Sequence, residues 1–224
     1  MNKTQIPQHA FPFLFRWLAV TFVALTVLSC QGNNLSATDT SKITTENTEV
    51  ANVYSADESI NNGIYRASVD FNNSVVWQYD PTYYRIPYPN GDVPSGGACT
   101  DVVIRVLRKN NIDLQQRIHE DMSGNFSSYP NKWRLSATDP NIDHRRVPNI
   151  MKYFERQGFD VGITNNENDY QPGDIVCWQL SPGITHIGIV LDKGNVFHNM
   201  GPSSRIENGF LFTHTIIGHY RIPL

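Results

Sequence analysis

Cys99, His186 and His198 are the residues whose types and spacing could do chemistry. Cys99 follows Ser95-Gly96-Gly97-Ala98 and opens an amphipathic run to Lys109, in which Val102, Val103, Val106 and Leu107 recur at helical spacing. The thiol therefore sits on the first turn of a helix, where unpaired N–H groups and the helix dipole make the surroundings electropositive. Such a place is expected to lower a thiol pKa and favour the nucleophilic thiolate. The same N–H groups suit a developing oxyanion, and the glycines let a substrate backbone come close. The competing reading is a small buried apolar residue on the helix's core face, which is common for Cys.

His186 lies in the strand-like run Thr185-His186-Ile187-Gly188-Ile189-Val190, with Gly188 leaving open space on its face. Alone it reads as a satisfied structural histidine; paired with a helix-start Cys it becomes a candidate general base. His198 lies on the next strand. With a three-residue turn over Asp192 to Gly194, Gly in αL, Leu191 pairs with Asn195 and His198 opposes Gly188 on His186's face. A side chain there can hydrogen-bond the imidazole and fix its tautomer. If the loop is only Lys193-Gly194, Asn199 takes that face instead. A type I′ turn of that kind puts Lys at positive φ, so the three-residue turn is favoured.

The elements that must position these residues come in the order helices, then strands. Helices are expected over 56–71, 99–109, 114–122 and 149–157, the last flagged by Pro148 before it and Gly158 after. Asp101 and Arg105 are read as an i,i+4 pair on the outer side of the second helix. Residues 79–94 are punctuated by Pro and Asn-Gly and must be loop. Short strands are expected over 159–163, 174–180, 185–191, 195–200 and 215–222. Helices followed by a strand meander indicate an α+β fold with an antiparallel sheet.

The arrangement resembles the NlpC-type papain-like cell-wall peptidases and amidases: Cys at a helix start, then Gln171-Pro172-Gly173-Asp174-Ile175-Val176, then His186-Ile187-Gly188-Ile189-Val190. A closer resemblance is to the bacterial family called domain of unknown function 1287, placed in that superfamily. It is carried by Tyr88-Pro89-Asn90-Gly91-Asp92-Val93-Pro94, Gly97-Ala98-Cys99-Thr100-Asp101-Val102-Val103-Ile104-Arg105, His119-Glu120-Asp121-Met122, the stretch from Pro140 to Asn149, and Gly218-His219-Tyr220-Arg221. The resemblance implies a papain-like fold, an N-terminal helical part carrying the nucleophile, and a Cys99–His186–His198 catalytic set. Cell-wall members usually carry Cys-Ser-Gly where this chain has Cys99-Thr100-Asp101.

Asp121, Asp143, Arg145 and Arg146, together with Tyr88 and Asp101, form the expected substrate-gripping set, since Arg suits bidentate carboxylate binding. The competing reading is helix ends and a solvated loop. Cys177 alternates with bulky neighbours and reads as core. A zinc site from Cys99, His186 and His198 lacks a close ligand pair, so no metal and no cofactor is expected.

The apolar run Trp17 to Leu28 is too short to span a bilayer, which needs about 20 residues, and has the size of a signal-peptide core. It ends in Val27-Leu28-Ser29-Cys30, which resembles a lipoprotein cleavage box; the alternative is ordinary signal cleavage. The expected organisation is a lipoprotein signal over 1–29, a polar tether over 30–53 and the folded domain over 54–224. Cys30 would be lipidated, and Gln31 rather than Asp follows it, which points to the outer membrane facing the periplasm. A net charge of −3 argues against nucleic acid, and three cysteines are too few for a disulfide scaffold. The expected activity is a cysteine peptidase or amidase acting on peptidoglycan or another envelope peptide. The alternatives are a non-catalytic lipoprotein binding a cell-wall peptide or protein partner, and a thiol acyltransferase.

Overall fold

The computed structural model describes residues 58–223. Cys30, the segments 1–29 and 30–53, and the first residues of the expected domain lie outside the described residues. Four helices precede five strands: α1 (Glu58–Ser74), α2 (Cys99–Lys109), α3 (Leu114–Gly124), α4 (Val147–Arg156), then β1 (Ile175–Ser181), β2 (Ile184–Val190), β3 (Val196–Met200), β4 (Ser203–Glu207) and β5 (Thr215–Tyr220). The strands form one antiparallel sheet in the order β4-β3-β2-β1-β5, and the helices pack on one side of it. This is an α+β fold. Among the described residues, no helix is long and apolar enough to cross a membrane.

α2 is the centre of the helical layer, and every residue from Cys99 to Leu107 is buried. Asp101 and Arg105 are therefore not an outer i,i+4 pair. Asp101 pairs with Arg145, and Arg105 pairs with Asp92 and caps the Gly96 carbonyl. A helix wrapped on all sides has no solvated face, so its charges find partners on other elements.

Alternation along the strands makes two cores. Ile175, Cys177, Ile187, Ile189 and Phe197 face the helices. Val176, Trp178, Val190 and Val196 face the other way, onto Phe210 and Leu211. Because β4 and β5 lie at opposite edges, the segment between them must cross the sheet, and it carries Phe210 and Leu211 over this second face. The indole of Trp178 donates to the Leu211 carbonyl at 2.8 Å and pins the crossing.

The β2–β3 hairpin pairs Gly188 with His198, the register of the three-residue turn. Lys193 nevertheless takes φ 56°, beside Gly194 at φ 68°, so the turn does not spare Lys a left-handed backbone. One expected strand is absent and one strand carries no sequence signal. Residues 159–163 form no strand: only Asp160 bridges to Tyr220, and Asp160 Oδ1 then accepts from Gly162 N–H as the chain bends away at φ 83°. β4 was not anticipated, because Ser203-Ser204-Arg205-Ile206-Glu207 carries little apolar signal; pairing with β3 and a hydrogen bond from Ile206 N–H to Asn72 hold it.

Phe210→Ala should lower stability by about 3–5 kcal/mol, as for a large core aromatic, measured by urea unfolding. A loss below about 1 kcal/mol would mean that the crossing segment does not seal the second face.

Candidate functional site

Cys99 begins α2 and is 7% exposed. The main-chain amides of Ile187, and of Thr100 and Cys99 at the helix start, act on the thiol. All three favour the thiolate, as the helix position leads one to expect. Burial outweighs them, with Asp101 adding to it, and pushes the thiol up to about 11 rather than down. The expectation of a lowered pKa fails because the first turn of α2 lies inside the core and not at its rim. Cys177, in the same cluster and fully buried, is held well above its ordinary value by burial.

The loop before Cys99 is locked from three directions. Asp101 Oδ2 accepts from Ala98 N–H at 2.6 Å. Gly97 stands at φ 139°, and a Cβ on it would come within 2.7 Å of the Asp101 Cβ. Arg145 grips both Asp101 oxygens at 2.8 and 3.0 Å and donates to the Thr82 carbonyl at 2.8 Å. Asn199 donates its amide to the Gly97 carbonyl at 2.8 Å.

The histidines meet on the opposite face of the sheet. His186 Nε2 and His198 Nδ1 share a hydrogen bond of 2.9 Å, and the His198 Nε2 lies 3.2 Å from Glu207 Oε2. Phe210 covers His198 at 4.4 Å between ring centroids, and Trp178 flanks His186 at 5.8 Å. Burial holds His186 down to about 3, with the neighbouring His198 adding to it, and burial then Arg205 hold His198 down to about 4. Both rings are therefore neutral near pH 7. Among the described residues no hydrogen bond joins Cys99 to His186: the thiol lies with Ile187 in the helix-side core, and His186, the next residue along β2, points to the other face.

Asn199, the alternative orienting residue, thus sits on the helix side and tethers Gly97 instead of meeting His186. The residues expected to grip substrate have other partners. Asp101 and Arg145 are buried against each other. Asp121 joins α3 to α4, accepting from Arg156 at 2.7 and 3.1 Å and from the Tyr129 hydroxyl at 2.6 Å. Asp143 is buried, accepts from Asp139 N–H and lies 3.6 Å from Arg146, and burial raises its pKa. Arg146 stacks over Trp133 at 4.1 Å. Tyr88 is exposed, with its ring against His119 at 5.1 Å.

Sequence reasoning missed Tyr79 and Glu207. Tyr79 bridges to Gly97 in the loop ahead of Cys99, and its half-exposed phenol is pushed up by burial and then by Cys99 and Asp101. Neither residue carries a local signal, because both reach the site through pairings distant in sequence. Among the described residues, no group of three or more His, Cys, Asp or Glu side chains converges as a set of metal ligands.

Residues 66–222 match the family model described as Domain of unknown function (DUF1287). The protein YijF of Escherichia coli (strain K12), described as uncharacterized, is 49% identical over 150 residues, 64% of this chain and 73% of that one. Among solved structures, NlpC1 from Trichomonas vaginalis is similar with a TM-score of 0.41 and 11% identity, covering 75% of this chain and 45% of that one. NlpC2 from the same organism gives 0.41 and 12%, covering 77% and 49%. The chain therefore spans about half the length of these two structures.

The raised thiol pKa has a direct readout. At pH 7 Cys99 should alkylate with iodoacetamide at least about a hundredfold more slowly than a free thiol, because the thiolate fraction falls tenfold per unit of pKa. The rate should keep rising as pH climbs past 9 toward about 11. Fast alkylation below pH 7 would show that the sulfur is not held in this buried, neutral state.

Proposed function

The chain belongs to the DUF1287 family, and from that premise we propose that it is a cysteine hydrolase of amide bonds in the bacterial cell envelope, with peptidoglycan peptides as substrate class. The observation that carries the reading is the thiol at the start of α2, behind Gly96-Gly97 and packed against β2, with the hydrogen-bonded pair His186–His198 on the other face of that strand. The sequence resemblance to NlpC-type enzymes supports the same assignment of Cys99, His186 and His198.

In this reading the Cys99 sulfur attacks the amide carbonyl and its proton passes to His186. With the thiol up to about 11 and the imidazole down to about 3, the resting pair is neutral, so proton transfer accompanies attack instead of preceding it. In this reading the helix-start N–H groups receive the oxyanion. His186 returns the proton to the leaving amine, giving a thioester. Water, deprotonated by His186, then attacks the thioester and releases the acid and the Cys99 thiol. His198 holds the His186 ring throughout. Catalysis requires Sγ and His186 to come within hydrogen-bond reach, and since they lie on opposite faces of β2 this takes a rearrangement of the strand on substrate binding. An amine in place of water makes the same thioester the start of acyl transfer.

One observation favours a second reading, a non-catalytic envelope protein that binds a cell-wall peptide or a protein partner: the Cys99 sulfur is buried and has no hydrogen bond to His186. Incubating the protein with purified muropeptides and following products by mass spectrometry separates the two. Cys99→Ser should abolish turnover, and His198→Ala should lower kcat by about 10²–10⁴. Binding without any cleavage by the wild-type protein would establish the second reading.

The envelope address is part of the proposal and rests on the apolar run ending at Ser29-Cys30. Cys30→Ser should abolish palmitate labelling and release the protein from membranes on fractionation; unchanged labelling would remove the lipid anchor.

A further inference from the structure

We propose that Glu207 is a positioning residue that fixes the tautomers of His198 and His186, leaving Nδ1 of His186 unprotonated to act as the base. The role as base rests on the hydrolase reading above; the tautomers do not.

The argument is one of donors and acceptors. A carboxylate only accepts hydrogen bonds, and a neutral imidazole has one donor and one acceptor nitrogen. Glu207 Oε2 lies 3.2 Å from His198 Nε2, so that nitrogen must carry the proton. His198 Nδ1 is then a lone pair, and it lies 2.9 Å from His186 Nε2, which must therefore donate. The proton of His186 is thus committed to Nε2, and Nδ1 is bare. The opposite polarity would set the His198 Nε2 lone pair against a carboxylate oxygen.

The carboxylate is itself held. Arg205 Nη2 donates to Glu207 Oε2, and Arg205 Nη1 donates to the Met200 and Ser203 carbonyls, which fixes the guanidinium at the turn between β3 and β4. The register explains why Glu207 reaches the ring: His198 pairs directly with Arg205, and Glu207 is the diagonal neighbour two residues on, on the same face. Glu207 is a third exposed, with 36% of its side chain open, so its replacement need not disturb the core.

The test reads the tautomer on the resting protein and needs no substrate. The full chain is labelled with ¹⁵N-histidine, and the ring-nitrogen shifts and couplings of His186 and His198 are measured at neutral pH, with assignments from His186→Gln and His198→Gln. The wild type should show protonated Nε2 and bare Nδ1 on both rings. In Glu207→Ala the constraint is gone, and in Glu207→Gln the side-chain amide can either accept or donate. In both variants the Nδ1–H population should rise several-fold on both rings together. Thermal melts identify any variant that fails to fold, and the remaining one decides. A wild-type His198 protonated at Nδ1, or both rings still wholly Nε2–H in the folded variants, would overturn the proposal. Because turnover is not read, loss of the hydrolase reading would leave this result standing, and the reverse.

Discussion

The buried pair Asp101–Arg145 is the constraint on which the site depends. One carboxylate, 3% exposed, takes the Ala98 N–H and both arms of a guanidinium that also holds the Thr82 carbonyl. The Thr100 hydroxyl donates back to the Arg145 carbonyl at 3.2 Å. The start of α2, the loop ahead of it and the segments around 82 and 145 are therefore fastened at one point. Two charges so far from water are costly to bury, and this pair survives because its remaining donors and acceptors are met. Deleting one partner of such a pair typically costs about 3–5 kcal/mol, since the other is left uncompensated. What the pair provides is placement: Gly97 lies hard against Asp101, and Cys99 is held at the start of α2 in the core beside Ile187.

That placement has an electrostatic consequence. The helix start and three N–H groups favour a thiolate, yet the sulfur lies deep enough that desolvation wins. The same holds for the two histidines, whose charged forms are disfavoured first by burial. A helix N-terminus lowers a thiol pKa only where water or a polar wall can share the charge, and here aliphatic core surrounds it. The resting site is a set of neutral groups, and whatever chemistry it performs must move a proton and make a bond together.

How much of this is legible in the sequence follows from where each signal resides. α2 was readable to the residue from its apolar spacing after Gly96-Gly97, and the β2–β3 register from the turn length. The register is the expected one, yet Lys193 adopts the positive φ that the three-residue turn is expected to avoid, so the reason offered for that turn is not what fixes it. The depth of α2 was not readable: amphipathic spacing says which face is most apolar, not that Asp101 and Arg105 find buried partners behind it. The polar stretches around Asp121 and 143–146 looked like a binding surface because charge in a motif is ambiguous. In the fold Asp121 staples α3 to α4, and Arg145 serves Asp101. β4 and Glu207 were invisible because a polar edge strand exists only through its partner.

The hairpin register ties the two halves of the site together. Phe197, His198 and Asn199 are consecutive on β3, so alternation sends His198 to one face and its neighbours to the other. His198 meets His186 on the sealed face, while Asn199 reaches through the helix-side core to hold Gly97 ahead of Cys99. Gly188 permits the first contact, because a Cβ there would stand 2.7 Å from Val196 Cγ1 and 3.1 Å from His198 Cβ. A slip of one residue would exchange the two faces, taking the orienting ring from His186 and the tether from Gly97 in a single step. Thiol placement and imidazole orientation are therefore not independent features: both are set by one three-residue turn and by what its strands can pack.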